Sequence, residues 1–401
     1  MRLRTFESFW LLNNGLLNSY PSLQNHNEET EIVVVGGGIT GALISHALME
    51  KNYKVILLDK RDIAMGSTAA TTSMLQYEID VPLYQLSKMI GEKEAVECYK
   101  AGIKAIIDLG GLMNTRQFDC GFEKKQSLFI ARNKRDAVWL KREFEIRNKY
   151  NLGVQWLDAK AVLNDFGIKC FGAILSEVAG SVDAYRLTHE LIKFNCERGM
   201  KVFDQTAIKN IDCNTLPVSI YTESNCKITC KKVVFCTGYE ATSMLKEKIA
   251  DLFYTYACIS EQNIELNKNL KNTLVWDTGS PYIYMRTTDD GRLLIGGEDS
   301  TNNSPLFKNS VKERKAKLLQ KHLKKIAPAV SFTEDFTWAG TFGSTKDGLP
   351  YIGESPEYLN SLFVLGFGGN GITFSIQAMN IIPDLLEHID NPLSYYYRFG
   401  R

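Results

Sequence analysis

The clearest chemistry in this chain of 401 residues sits in three glycines and an acid: Gly36, Gly38 and Gly41 of Gly36-Gly37-Gly38-Ile39-Thr40-Gly41, and Asp59, followed by Lys60. Each glycine dispenses with a side chain for its own reason. Gly36 permits a tight turn, Gly38 lets a pyrophosphate approach the backbone, and Gly41 lets a helix pack on a strand. Asp59 is placed to accept hydrogen bonds from an adenosine ribose. The set reads as a dinucleotide site.

Such a site needs elements that aim it, and the flanking sequence supplies them. The β-branched run Ile32 to Val35 predicts the strand that leads into the loop, a helix follows from Ile39 to about Lys51, and Val55 to Leu58 predicts the second strand. The N–H groups and positive dipole end of the helix then face the phosphates. After it comes a small-residue loop, Gly66 to Ser73, placed to lie close to a cofactor. A helical stretch is predicted from Leu83 to about Leu109, a strand over Ser127 to Ala131, and a charged, solvent-facing helix over Lys134 to Tyr150 with Ala137, Leu140 and Phe144 at core spacing.

Further along, a helix begins at Asp183, a strand covers Lys201 to Phe203, and a buried strand from Lys231 runs into the turn Thr237-Gly238. Between Leu252 and Gly297 the chain becomes β structure, with Asp290-Gly291 joining its last two strands as a hairpin. Lys312 to Ile326 predicts a basic amphipathic helix covering that sheet. A second glycine-rich loop, Gly366 to Thr373, enters a helix, and its N–H groups would favour the electron-rich edge of a ring that gains negative charge on reduction.

Composition narrows the classes. The length suits two sequential or intertwined domains. Lys and Arg number 47 against 46 Asp and Glu, and no basic stripe with interleaved aromatics stands out, so nucleic acid is not an expected partner. Nine scattered cysteines fit reduced thiols in a cytoplasmic protein, and the pair Cys226 and Cys230 lacks the companions of a metal site, so no metal is expected. No stretch approaches the roughly 20 apolar residues of a transmembrane helix. The N-terminal arm, Met1 to Leu23, is no convincing signal peptide; packing on the body is the expected fate of Phe9 and Trp10, with a peripheral contact at the inner membrane as the alternative.

Taken in order, these motifs resemble the flavin-dependent superfamily of D-amino-acid oxidase, glycine oxidase, sarcosine oxidase and the D-amino-acid dehydrogenases. The resemblance runs over nearly the whole chain. Its marks are the first nucleotide unit with Asp59, Gly66-Ser67-Thr68-Ala69, Gly180-Ser181-Val182-Asp183, Cys236-Thr237-Gly238-Tyr239, the segment Thr345 to Gly353, and Gly366 to Thr373. It implies an α/β architecture: a Rossmann-like domain of the FAD/NAD(P)-binding type, with an interleaved α+β substrate domain on a large mixed β-sheet. The corresponding division is 1–88, 170–247 and 338–401 for the FAD-binding part, and 89–169 with 248–337 for the substrate part.

The resemblance further implies FAD, bound extended, with Gly36, Gly38, Ile39, Thr40, Gly41, Asp59 and Lys60 at its ADP half and Ser67, Thr68 and Ala69 close by. It places Val202 beside the adenine, Thr237 and Gly238 near the pyrophosphate, and Gly368, Gly369, Asn370, Gly371, Ile372 and Thr373 near the flavin pyrimidine. Tyr254 and Tyr256, and Tyr282 and Tyr284, are each spaced by two, so each pair faces one side of its strand and is a candidate pocket lining. Where glycine-oxidase-like enzymes carry an arginine for the substrate carboxylate, an ungapped reading finds Phe342. Arg286 is the substitute candidate, although a surface arginine entering the Thr287-Thr288-Asp289-Asp290 turn is the plainer reading. No cysteine or histidine stands where some relatives tether flavin, so FAD is expected to be non-covalent.

The reaction so implied is oxidation of a C–N bond in a small amine or amino acid, by hydride transfer to flavin and hydrolysis of the imine. The flavin would be reoxidised by oxygen, or, in a dehydrogenase, by a quinone-type carrier. An NAD-dependent dehydrogenase would leave the second glycine loop unexplained, and a flavin-disulfide reductase would want a redox cysteine pair. A flavoprotein that binds FAD without turnover is the remaining alternative. These motifs set neither the substrate nor the oligomeric state.

Overall fold

In the computed structural model, which describes residues 3–5, 8–262, 264–301 and 305–401, two sheets frame one long cavity. The first has six strands in the order Tyr351–Ser355, Tyr358–Leu365, Lys232–Phe235, Ile32–Val35, Val55–Leu58, Lys201–Phe203. All neighbours are parallel except the outermost Tyr351–Ser355. Its central strands are near-continuous Val, Ile and Leu because both faces are covered, as in buried parallel sheets. Helices Ile39–Glu50 and Gly371–Leu386 pack against each other on one face, and Thr40 and Ser375 exchange a 2.8 Å hydrogen bond between them. A four-stranded sheet that includes Ile208–Asp212, Val218–Thr222 and Lys227–Cys230 is attached beside this core; Cys226 directly precedes its strand and Cys230 ends it.

The second sheet has nine strands and forms the roof. Its path runs Glu334–Ser344, Asp251–Ser260, Leu293–Ser300, Ile283–Thr287, Thr273–Asp277, Glu123–Ile130, Ala173–Ser181, Met74–Leu75, with Val154–Leu157 also on Ala173–Ser181. Ala173–Ser181 and residues 338–344 thus hydrogen-bond within the roof, although each follows a boundary that sequence assigned to the nucleotide part. The hairpin through Asp290-Gly291 forms as expected. Helix Pro305–Ile326 begins earlier than the periodicity indicated and packs on the strands Asp251–Ser260, Leu293–Ser300 and Glu334–Ser344.

Three local expectations change. The stretch after Leu83 is two helices, Leu83–Ile90 and Glu92–Arg116, because Gly91 adopts φ +104°, which no L side chain tolerates well and which ends the first helix. Helix Lys134–Lys149 is not simply solvent-facing: Glu143 and Arg147 on it are fully buried. The N-terminal arm, finally, adds itself to the edge of the roof. Thr5 N–H donates to Ala339 O at 2.9 Å and Thr341 N–H to Leu3 O at 2.8 Å, extending the sheet beyond Glu334–Ser344. Phe9 and Trp10 are buried, Phe9 stacking on Trp338 with centroids 6.1 Å apart, so they form core and offer no membrane contact. Among the described residues no helix is long and apolar enough to cross a membrane.

Candidate functional site

The two sheets leave between them a cavity of about 1170 Å³. It starts at the C-terminal ends of the parallel strands, where ligands bind in open α/β sheets. Gly36, Gly38, Ile39 and Thr40 line it there, with Leu58, Asp59, Lys60 and Arg61 from the next strand end. The glycines are required by close approaches. A Cβ on Gly36 would stand 2.4 Å from Cys236 O, one on Gly38 2.9 Å from Thr68 Oγ1, and one on Gly41 1.8 Å from Gly36 O. Gly41 does not line the cavity, so its part is the packing of helix on strand.

Asp59 carries its carboxylate differently from the simple ribose reading. It accepts the N–H of Gly37 at 2.7 Å and the N–H of Arg61 at 2.8 Å, tying the glycine loop to its own strand end. Burial raises its carboxyl above the usual range, while those backbone bonds act in the opposite direction. Lys60 and Arg61 both pair with Glu240, at 3.0 and 2.7 Å. Thr237 and Gly238 line the cavity beside them. Val202 is buried in its strand and does not reach the lining.

The loop Gly66 to Ser73 lies across the helix N-terminus. Thr68 Oγ1 accepts the Ile39 N–H at 3.0 Å, and Ser67 and Thr68 line the cavity while Ala69 is buried beneath. Three successive carbonyls of this loop each receive a side-chain donor from elsewhere in the chain: Ala70 from Trp338 at 2.8 Å, Thr71 from Trp10 at 2.6 Å and Thr72 from Arg286 at 2.6 Å. Arg286 is therefore neither a surface residue nor part of the cavity wall. It is 3% exposed, its guanidinium also reaches the carbonyls of Thr287 and Val182, and it lies 5.4 Å from the Trp10 ring centroid. Desolvation lowers it to about 10. Replacing Arg286 by leucine is expected to weaken FAD binding by about tenfold, from loss of the charge-assisted bond to Thr72 that holds the loop; equilibrium titration of the apoprotein with FAD measures this, and an unchanged affinity would show the loop to be held without it.

At its other end the cavity passes Gly368, Gly369, Asn370, Gly371 and Ile372, while Thr373 is buried and donates to Gln76 O at 3.0 Å. The Gly369 N–H points to Asp80, at 3.0 Å from Oδ2. Above this loop stands the roof. Tyr282, Tyr284 and Phe342 line the cavity, and Phe253 opposite Phe342 joins them. Tyr254 and Tyr256 both pack in the cluster under helix Pro305–Ile326, and Tyr256 also reaches the cavity lining. Phe129 and Trp276 complete an aromatic wall, their rings stacked with centroids 3.5 Å apart. Arg292 pairs with Asp290 at 2.8 Å and also with Asp335, away from the lining.

Of the lining carboxylates that escaped the sequence reading, two are shifted by burial. Burial raises Asp80 to about 6, with Asp299 adding to the effect and the Gly369 N–H opposing it; burial likewise raises Asp299 to about 6, with Glu298 adding and Thr255 and Lys315 opposing. Asp80 has an exposed surface along the cavity lining, so the burial that acts on it is that of the cavity walls around it. Neither lies in a motif. Only a strand end for Asp299, and a long connection between two elements for Asp80, could have drawn attention to them.

The cavity accommodates an extended dinucleotide: a glycine cradle with no room for a Cβ at one end, a second glycine loop at a helix N-terminus at the other, and lining continuous between them. Comparison with known proteins gives the same assignment. The chain is 25% identical to the gamma-glutamylputrescine oxidoreductase of Escherichia coli (strain K12) over 394 residues, covering 92% of this chain and 87% of that protein. It is 24% identical to the glycine oxidase of Bacillus subtilis (strain 168) over 391 residues, covering 92% and 97%. The L-proline dehydrogenase from P. horikoshii shares the fold with a TM-score of 0.75 at 19% identity, covering 93% of this chain and 97% of that one. The model of the DAO family, FAD dependent oxidoreductase, matches residues 31–378, so the chain belongs to that family and is an enzyme whose cofactor is FAD.

Proposed function

We propose that this oxidoreductase removes two electrons from a C–N bond of an amine or amino acid held between the flavin and the aromatic roof. FAD would lie extended and non-covalently, with its ADP half on Gly36, Gly38, Ile39 and Thr40 and its flavin end toward Gly368 to Ile372. Bound there, it supplies the hydride acceptor. The chain's own work is to orient the substrate under Tyr282, Tyr284 and Phe342 and to keep water away from the reacting carbon.

The observation that carries this reading is the continuity of the cavity from a dinucleotide cradle to an aromatic chamber, whose described lining contains no histidine. Hydride loss from a neutral amine needs little acid–base assistance, which such a chamber is suited to provide. The resulting imine hydrolyses in water. Anaerobic addition of amine and amino-acid pools to the yellow holoprotein is expected to bleach the visible flavin bands with at least one pool. Bands that persist with every pool would reject C–N oxidation and favour a non-catalytic FAD protein.

A dehydrogenase is the second reading, favoured by one observation. Both described lysines of the lining, Lys60 and Lys209, belong to the nucleotide end, leaving none by the roof to draw electrons onto oxygen. Slow recovery of the flavin colour in air, and fast recovery with a soluble quinone, would bear it out.

A further inference from the structure

Charge is distributed unevenly along the cavity. Its basic lining among the described residues, Lys60, Arg61 and Lys209, lies at the nucleotide end. Toward the roof the described lining carries Glu78, Asp80, Asp277 and Asp299 and no Lys, Arg or His. Two of these acids are matched. Arg132 holds Asp277 through two bonds of 2.7 and 2.9 Å, and Arg147 lies 3.7 Å from Glu78.

Asp80 and Asp299 are not so matched. Asp80 accepts the Gly369 N–H and has no ion pair among the described residues. Lys315, whose charge reaches Asp299, is itself paired with Glu298 at 3.1 Å. Asp299 Oδ1 makes no hydrogen bond among the described residues. Around the two acids stand Trp276, Tyr282 and Tyr284, whose ring faces attract cations. An α-amino carboxylate placed here would bring its anion toward two acids without a basic group among the described lining residues to receive it.

We propose that the roof end of the cavity takes an amine bearing a second positive charge, of the diamine or polyamine class, with the distal ammonium held by Asp299 and Asp80 among the tyrosines. This rests on the amine-oxidising reading above. In the reaction the CH–NH unit passes a hydride to FAD and a proton to water and becomes C=N; water adds to the carbon, releasing a carbonyl compound and the amine or ammonia. The distal ammonium is unchanged throughout.

The test uses the FAD-loaded protein and calorimetry with bis(trimethylammonio)butane, a dication that cannot be oxidised, against glycine and D-alanine. The dication is expected to bind at least about tenfold more tightly than either amino acid, and Asp299→Asn to remove most of that preference. Tighter binding of glycine or D-alanine, or an Asp299→Asn protein with unchanged preference, would overturn the proposal. Should that variant fail to fold, displacement of the dication by butanediamine and by glycine on the unaltered protein decides instead, with more effective displacement by glycine counting against. The two readings fail separately. Tight dication binding without bleaching by any amine supports the cationic chamber and rejects the oxidation, whereas bleaching by amino acids alone, with no dication binding, overturns the cationic chamber and leaves the oxidation standing.

Discussion

A Gly41→Val protein is expected to purify without its yellow colour. Even the first atom of the new side chain, a Cβ 1.8 Å from the carbonyl oxygen of Gly36, has no space, and the obstacle is backbone that no rotamer change can move. Helix Ile39–Glu50 must then separate from strand Ile32–Val35, and the N–H groups at its N-terminus lose their aim at the cavity. Loss of FAD affinity by about a hundredfold or more, equal to about 2.7 kcal/mol, is the expected size. The measurement is visible flavin absorbance relative to protein absorbance after FAD is supplied in excess. Gly111→Ala is the control: an added Cβ there meets nothing within 4 Å on an exposed helix face, so FAD is retained and stability rises by about 0.5–1 kcal/mol. Full FAD content in Gly41→Val would remove the glycine loop from the site.

Arg147→Met should have the largest effect on stability. The guanidinium is fully buried, 2.6 Å from Glu143 and 3.7 Å from Glu78, with its centre 5.9 and 5.4 Å from the rings of Tyr77 and Tyr99. Glu143 also accepts the N–H groups of Leu83 and Tyr84 at 2.9 and 3.0 Å, so it caps helix Leu83–Ile90, and Glu78 accepts the Ser176 hydroxyl at 2.7 Å. Removing the cation leaves two buried carboxylates uncompensated, which costs about 3–5 kcal/mol. Arg147→Lys is expected to rescue only part, since an ammonium lacks the planar fork and the ring-stacking face. Chemical denaturation compares the three proteins. A loss under about 0.5 kcal/mol for Arg147→Met would show that the carboxylates are stabilised by something other than this arginine.

Why one of these sites was legible in the sequence and the other was not follows from contact range. Gly41 acts on Gly36, within one strand–loop–helix unit, so spacing alone exposes it. Arg147 acts on Glu78 across the chain, and on a helix surface its pattern is that of any solvated charge. Arg286 illustrates the same point. Its neighbours in sequence suggest a turn at the surface, but its guanidinium is held by the carbonyls of Thr72 and Val182, residues distant in sequence that only tertiary packing brings near.

By itself, the sequence determined the dinucleotide unit, the second glycine loop, the parallel sheet around them and the family, because each rests on short-range rules: β-branched strands, glycines at tight approaches, helix N-termini facing anions. Tertiary structure alone decided the rest. It laid residues 3–5 of the N-terminal arm along the edge of the roof and gathered Asp80 and Asp299 from distant segments into one chamber. The physical reason is that burial and charge pairing depend on which elements are packed together, a quantity that no local spacing encodes.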